Sequence, residues 1–275
     1  LVVYSTAQAH SSIAKAVQLA GFGSANLRLI DEDPYTRAML PQALAAAIEQ
    51  DLAAGRIPAA IVCSVGATGT TAIDPVAAIA AIASRHRIWL HVDAAMAGSA
   101  MLLPECRHLW QGVELADSLA WNPHKWMGTI LDTALFYVRD VAHLEAVMST
   151  NPSYLRSGAD GQVTQFRDWG IPLGRRFRAL KLWFHLRLDG IDAIRARLRR
   201  DLDNARWFAQ QVAAAEGWEV LAPVPLQTVC IRHVPKDARG QPLAGDALDA
   251  HTLEWLARIN DSGAAFMTPS RSFRT

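Results

Sequence analysis

Cysteine is scarce. The chain of 275 residues carries three, Cys63, Cys106 and Cys230, an odd and widely spaced set that forms no disulfide framework and matches no zinc-ligand spacing. A reducing, cytoplasmic compartment is expected. An excess of one charge is lacking too, because 27 Lys plus Arg stand against 26 Asp plus Glu for a net charge of +1. That balance supplies no global field for holding nucleic acid or an anionic membrane. The longest apolar run, Val76 to Ala83, is far shorter than the roughly 20 residues that span a bilayer. Leu1 opens directly into a strand-like run with no basic leader or cleavage site before it, as expected of a chain cut from a longer one. Phe266-Met267-Thr268 begins another strand-like stretch close to Thr275 and supports the same expectation.

What is present describes a folded protein. Apolar residues make up 51% and charged residues 19%, a globular composition, and the length allows one large domain or up to two ordinary ones. Short β-rich runs alternate with segments of helical period, the pattern of a mostly parallel sheet flanked by helices in an α/β fold. Strands are predicted at Leu1 to Ser5, Asn26 to Ile30, Ala59 to Val65, Ile88 to Val92, Ser118 to Trp121 and Ala134 to Val138. Helices are predicted at Pro41 to Ala54 and after Asp74-Pro75, with Asp74 as N-cap and Pro75 at the first helical position. Longer helices follow at Gly174 to Leu188 and Ile191 to Ala215, separated by Asp189-Gly190. Runs at Trp218 to Leu221 and Thr228 to His233, then a helix over Asp246 to Ile259, suggest a smaller, truncated α+β domain. The expected division is 1–189 and 190–275.

Open parallel sheets bind ligands at the carboxyl ends of their strands, so polar residues just past each strand are the candidates. Four places qualify: His10, the turn Gly66 to Thr71, Asp93, and Asn122-Pro123-His124-Lys125-Trp126. Lys125 sits in a tight Asn-Pro turn between apolar strands, where desolvation favours the free amine that attacks carbonyls. Asp93 ends the apolar strand Ile88 to Val92, where a carboxylate needs a cation or several donors. It either caps the next turn or pairs with a protonated ring nitrogen. In Gln8-Ala9-His10-Ser11-Ser12 the serines suit a helix N-cap, and His10 is either a backbone-bonded histidine at a helix start or a ligand. The Gly66 to Thr71 turn offers backbone donors and hydroxyls, and also reads as an ordinary connection. A metal-hydrolase reading of His91, Asp93 and His124 lacks a third convincing ligand and leaves Lys125 unexplained.

His91-Val92-Asp93-Ala94-Ala95, Ala97-Gly98-Ser99-Ala100 and Asn122-Pro123-His124-Lys125-Trp126 resemble the group II pyridoxal-phosphate-dependent decarboxylases, closest to the aromatic-L-amino-acid decarboxylases. Gln8 to Ser12, Pro104 to His108, Asn151 to Leu155 and Ile171 to Arg178 follow in the family's order, so the resemblance runs from the start to about Leu188. It implies a fold type I large domain, pyridoxal 5'-phosphate as cofactor and a homodimer. It also implies that Lys125 joins the cofactor through a Schiff base, that Asp93 pairs with the pyridine nitrogen so the ring can act as electron sink, and that His10 stacks on the ring. Thr68, Ala95, Asn122 and His124 match positions that line the cofactor.

The segment Asn151 to Gly161, with Pro152, Gly158 and Gly161 and no periodicity, reads as a loop able to close over substrate. By resemblance, its Tyr154 supplies the proton to Cα after carbon dioxide leaves, where aldehyde-forming relatives carry phenylalanine. A phenol with an ordinary pKa near 10 keeps its proton at neutral pH. The expected activity is therefore decarboxylation of an aromatic L-amino acid, of the tryptophan, tyrosine or DOPA class, to its amine. The alternatives are another amino acid, an aldehyde synthase, an aminotransferase or a non-catalytic fragment. Arginines from Arg175 to Arg200 interleave with Trp183, Phe184, Leu186 and Leu188, so an amphipathic helix explains them better than nucleic-acid binding. Met96 stands where many eukaryotic relatives have an aromatic residue. The family's phosphate-binding Gly/Ser turn is expected upstream of Leu1, and Gly23 to Asn26 does not replace it, because it leads into a strand.

Overall fold

The computed structural model describes residues 1–150, 152–155, 158 and 160–270. Positions 151, 156, 157 and 159 of the expected loop lie outside the described residues, as do 271–275. A six-stranded sheet of order β2-β1-β3-β4-β5-β6 forms the body, built from β1 (Val2–Ser5), β2 (Leu27–Leu29), β3 (Pro58–Ser64), β4 (Trp89–Asp93), β5 (Ser118–Trp121) and β6 (Leu135–Val138). Every pair is parallel except β5 with β6. β1 is buried throughout its length, as continuous apolar strands covered on both faces must be.

Alternation assigns the two faces. Val3 and Val62 join a small cluster with Val17 of α1 (Ser11–Leu19). Val2, Tyr4, Ile61, Cys63, Leu90 and Val92 join the main core with α2 (Pro41–Ala53) and α3 (Val76–His86). The core receives Leu44 and Ile48 from α2 and Ile79 and Ala83 from α3, and full burial of each larger side chain contributes about 1.5–3 kcal/mol. From β1 the chain steps to β2 on one side, then returns to β3 and continues on the other. The topological switch therefore falls between β1 and β3, and a ligand crevice opens at such a point.

Beyond the sheet come α4 (Val141–Met148), α5 (Ala179–Leu188) and α6 (Ile191–Ala214). The first half of α6 is anchored in the main core by Ile194, Leu198 and Leu202. A two-stranded antiparallel sheet, β7 (Trp218–Val220) with β8 (Ile231–His233), and helix α7 (Gly245–Ser262) follow. Trp218 meets Trp255 edge-on there, and the His233 and His251 ring nitrogens lie 2.8 Å apart.

Four local expectations are corrected. Asp74 is not a helix cap: its carboxylate accepts from the backbone N–H groups of Met39 and Ser64, both at 2.7 Å, and α3 begins at Val76 with no side-chain cap. The cap of α1 is His10 rather than a serine, with Nδ1 accepting from Ser12 N at 3.2 Å. Helix α5 begins at Ala179 and not Gly174, because Arg175 and Arg178 reach away to Phe166 O and Asp132. Phe266 to Thr268 is not a strand, since the Asn260 side chain bonds both backbone groups of Met267.

Candidate active site

Four strand exits meet at the switch point. Past β4 and β5 the backbones stay zipped, with Ala94 N donating to Ala120 O at 2.9 Å and Asn122 N to Ala95 O at 3.1 Å. Asp93 closes β4, and its Oδ1 accepts from Ala95 N at 3.0 Å, so the expected turn-capping contact exists beside whatever else the carboxylate meets. At the exit of β3, Gly66 has φ +81° and a Cβ on it would lie 2.2 Å from Ala97 Cβ. Only glycine both takes that conformation without strain and lets the two turns touch. Lys125 lies in the turn after β5, where its N–H bonds Asn122 O at 2.9 Å and its carbonyl accepts from Gly128 N at 3.0 Å.

These exits enclose a cavity of about 440 Å³ lined by His10, Thr68, Asp93, Ala95, Asn122 and Lys125, within the roughly 300–1,000 Å³ of small-molecule sites. Six expected site residues thus share one crevice. Two do not line it. The His124 ring turns to the backbone of Thr133, whose N–H donates to Nδ1 at 3.0 Å, and Tyr154 is 81% exposed in a short helical turn, Ser153–Leu155.

Sequence reasoning missed Ser64 and the roles of Gln8 and Glu32. Ser64 lines the cavity and is the register partner of Asp93; a polar residue ending an apolar strand was the available signal. Gln8 donates to Glu32 from its backbone N at 3.1 Å and its side-chain amide at 3.0 Å. Its Oε1 accepts from Thr70 at 3.0 Å, which ties the exits of β1 and β3 to the segment after β2. His91 also lines the cavity, bonds Ser118 Oγ at 2.8 Å and stacks near Phe136. Burial holds its pKa below the ordinary value, partly offset by Asp93. Among the described residues no group of three or more His, Cys, Asp or Glu is gathered as a metal ion would need.

The donor set tests the implied cofactor. An amine able to bond an aldehyde, a carboxylate able to meet a ring nitrogen, an imidazole and hydroxyls all border one cavity of suitable volume, so these residues fit pyridoxal phosphate. The mostly parallel sheet, with its lysine-bearing turn at the carboxyl edge, has the type I fold of pyridoxal-phosphate enzymes. Residues 1–234 match the pyridoxal-dependent decarboxylase conserved domain, and the chain belongs to that family.

Relatives include phenylacetaldehyde synthase of Arabidopsis thaliana, 42% identical over 98% of this chain and 54% of its own length. Tryptophan decarboxylase 2 of Oryza sativa subsp. japonica is 40% identical over 98% and 54%, and aromatic-L-amino-acid decarboxylase of Drosophila lebanonensis 40% over 98% and 63%. The crystal structure of Oryza sativa TDC with PLP and tryptamine superposes with a TM-score of 0.92 at 38% identity, over 98% of this chain and 55% of that one. The chain thus spans about half the length of most relatives it matches.

Proposed function

We propose that the complete protein decarboxylates an aromatic L-amino acid, of the tryptophan, tyrosine or DOPA class, to the amine and carbon dioxide. The observation that carries this reading is the convergence of Lys125, Asp93 and His10 on one cavity at the sheet's switch point. When bound, pyridoxal phosphate supplies an electron sink for the pair released as the Cα–carboxylate bond breaks. Lys125, which lines the cavity, would hold it through its side-chain amine. Asp93, on the same cavity, would pair with the ring nitrogen and favour its protonated form. His10 would stack on the ring and Thr68, Ala95 and Asn122 would line its site, while His124 braces the lysine turn through Thr133. Tyr154, 81% exposed, would deliver the proton to Cα.

The similarity to phenylacetaldehyde synthase raises a second reading, aldehyde formation. Tyr154 favours the amine, because a phenolic proton is available where phenylalanine has none. Incubating the complete protein with tryptophan, tyrosine and DOPA and quantifying amine, aldehyde and keto acid tests both. Amine as main product, shifting toward aldehyde in Tyr154→Phe, is expected. Keto acid as main product makes it an aminotransferase, and no product from any aromatic substrate overturns the assignment.

This reading includes a homodimer. Phe177 and Phe184, 75% and 47% exposed, line one hollow with Ile130, 70% exposed, and neighbouring exposed apolar side chains of this kind suit an interface between subunits. A cytoplasmic setting agrees with the three unpaired cysteines. Among the described residues no helix is long and apolar enough to cross a membrane. The division into 1–189 and 190–275 is retained, with α6 rooted in the core of the first part.

A further inference from the structure

Resting on the reading that Lys125 carries the cofactor, we propose that Arg197 and Asp201 of α6 are positioning residues that fix the lysine turn, and with it the Lys125 amine. The turn is closed internally by backbone bonds from Lys125 N to Asn122 O at 2.9 Å, Gly128 N to Lys125 O at 3.0 Å and Thr129 N to Pro123 O at 3.1 Å. These give it a shape without fixing it to the body of the protein. The two carbonyls immediately after the lysine, on Trp126 and Met127, accept from no backbone N–H among the described residues. Both accept from the Arg197 guanidinium: Nη1 donates to Trp126 O at 3.2 Å, and Nη2 donates to Met127 O.

One helical turn further along α6, Asp201 Oδ2 accepts from the indole N–H of Trp126 at 3.0 Å. Spacing of four residues puts Arg197 and Asp201 on one face of the helix. Trp126, only 8% exposed, is therefore held through its backbone and its side chain at once. Gly128 completes the fit, because it adopts φ +79° and a Cβ there would come within 3.1 Å of Arg197 Nη2. The helix offers a firm base, with Ile194, Leu198 and Leu202 at most 2% exposed in the main core. Neither Arg197 nor Asp201 lines the cavity, so both act through the turn.

Arginine suits the task since one planar fork serves two acceptors. Misplacing a reacting group by about 1 Å costs up to roughly a hundredfold in rate. Loosening the turn should therefore lower kcat and leave KM nearly unchanged.

Arg197→Met keeps the aliphatic stem and removes every donor. In the complete protein without cofactor, hydrogen exchange read by mass spectrometry should quicken about tenfold in the peptide spanning residues 122–129, as expected when charge-assisted bonds are lost. Peptides covering β1 to β4 should exchange as in the parent. With pyridoxal phosphate bound, kcat should fall about tenfold with KM within about twofold, and Arg197→Lys should recover part of the loss, because one ammonium cannot match the two-pronged fork. Asp201→Asn, which keeps an acceptor for the indole, should stay close to the parent while Asp201→Ala does not. Parent-like exchange at 122–129 in Arg197→Met, or acceleration spread evenly over the sheet, overturns the proposal. A parent protein that never attaches the cofactor to Lys125 instead overturns the functional reading, and the exchange comparison still decides whether α6 holds the turn.

Discussion

Asp51 on α2 gathers three donors under the sheet: Tyr4 OH at 3.0 Å, Arg28 through Nε and Nη2 at 3.1 Å each, and Arg56 at 2.7 Å. Burial alone raises its pKa, but hydrogen bonds from Arg28, Arg56 and Tyr4 outweigh that and leave it below the ordinary value. The side chain is 5% exposed, Arg28 24% and Arg56 51%, so removing it leaves the buried Tyr4 hydroxyl and the partly buried Arg28 without their acceptor. Asp51→Ala should lose about 3 kcal/mol, read by urea denaturation. A depressed carboxylate stabilises above its unfolded pKa near 3.8 and loses that contribution as pH falls through the folded value. His91 acts at milder pH. Burial lowers the pKa of its imidazole, so the unfolded chain takes up the proton more readily once pH drops below about 6.5. Stability should decline from there downward, and His91→Gln should flatten that part of a Tm-against-pH curve; an unchanged slope contradicts it.

At the scale of elements, close approach governs the site. Gly98 leaves no room for a side chain, since a Cβ would lie 2.3 Å from Trp121 Cδ1. Gly98→Ala should push the Trp121 ring off its bond to Ser99 Oγ and destabilise the protein by about 1–3 kcal/mol, measured by thermal unfolding. The strands of the six-stranded sheet were legible to within one residue because buried parallel strands leave continuous apolar runs such as β1 and β3, whereas β8 begins three residues later than expected, at Ile231. Polar residues just past those runs revealed Lys125, Asp93 and His10, since the carboxyl edge of the sheet is where ligands sit. Capping was not legible: whether Asp74 or Pro75 flanks a helix depends on which distant N–H groups need an acceptor, and Met39 and Ser64 claimed the carboxylate. Nor did the sequence disclose that arginines between Arg175 and Arg200 tie distant parts of the chain together. Arg178 pairs with Asp132, Arg195 bonds Leu102 O, and Arg199 grips Glu105 with two contacts. Such partners lie far away in the chain, and only the fold joins them.

For the molecule as a whole, the exposed side chain of Phe184 bears on the proposed homodimer. Phe184→Glu should turn a dimer of the complete protein into monomers in sedimentation velocity, since a carboxylate is costly in a buried apolar interface; an unshifted dimer contradicts that surface as the interface. The central claim is narrower. Reducing the complete protein with borohydride in the presence of pyridoxal phosphate and mapping the modified peptide by mass spectrometry tests it most directly. The label is predicted on Lys125 and is absent from Lys125→Ala, whereas a label on another lysine, or none at all, contradicts the account.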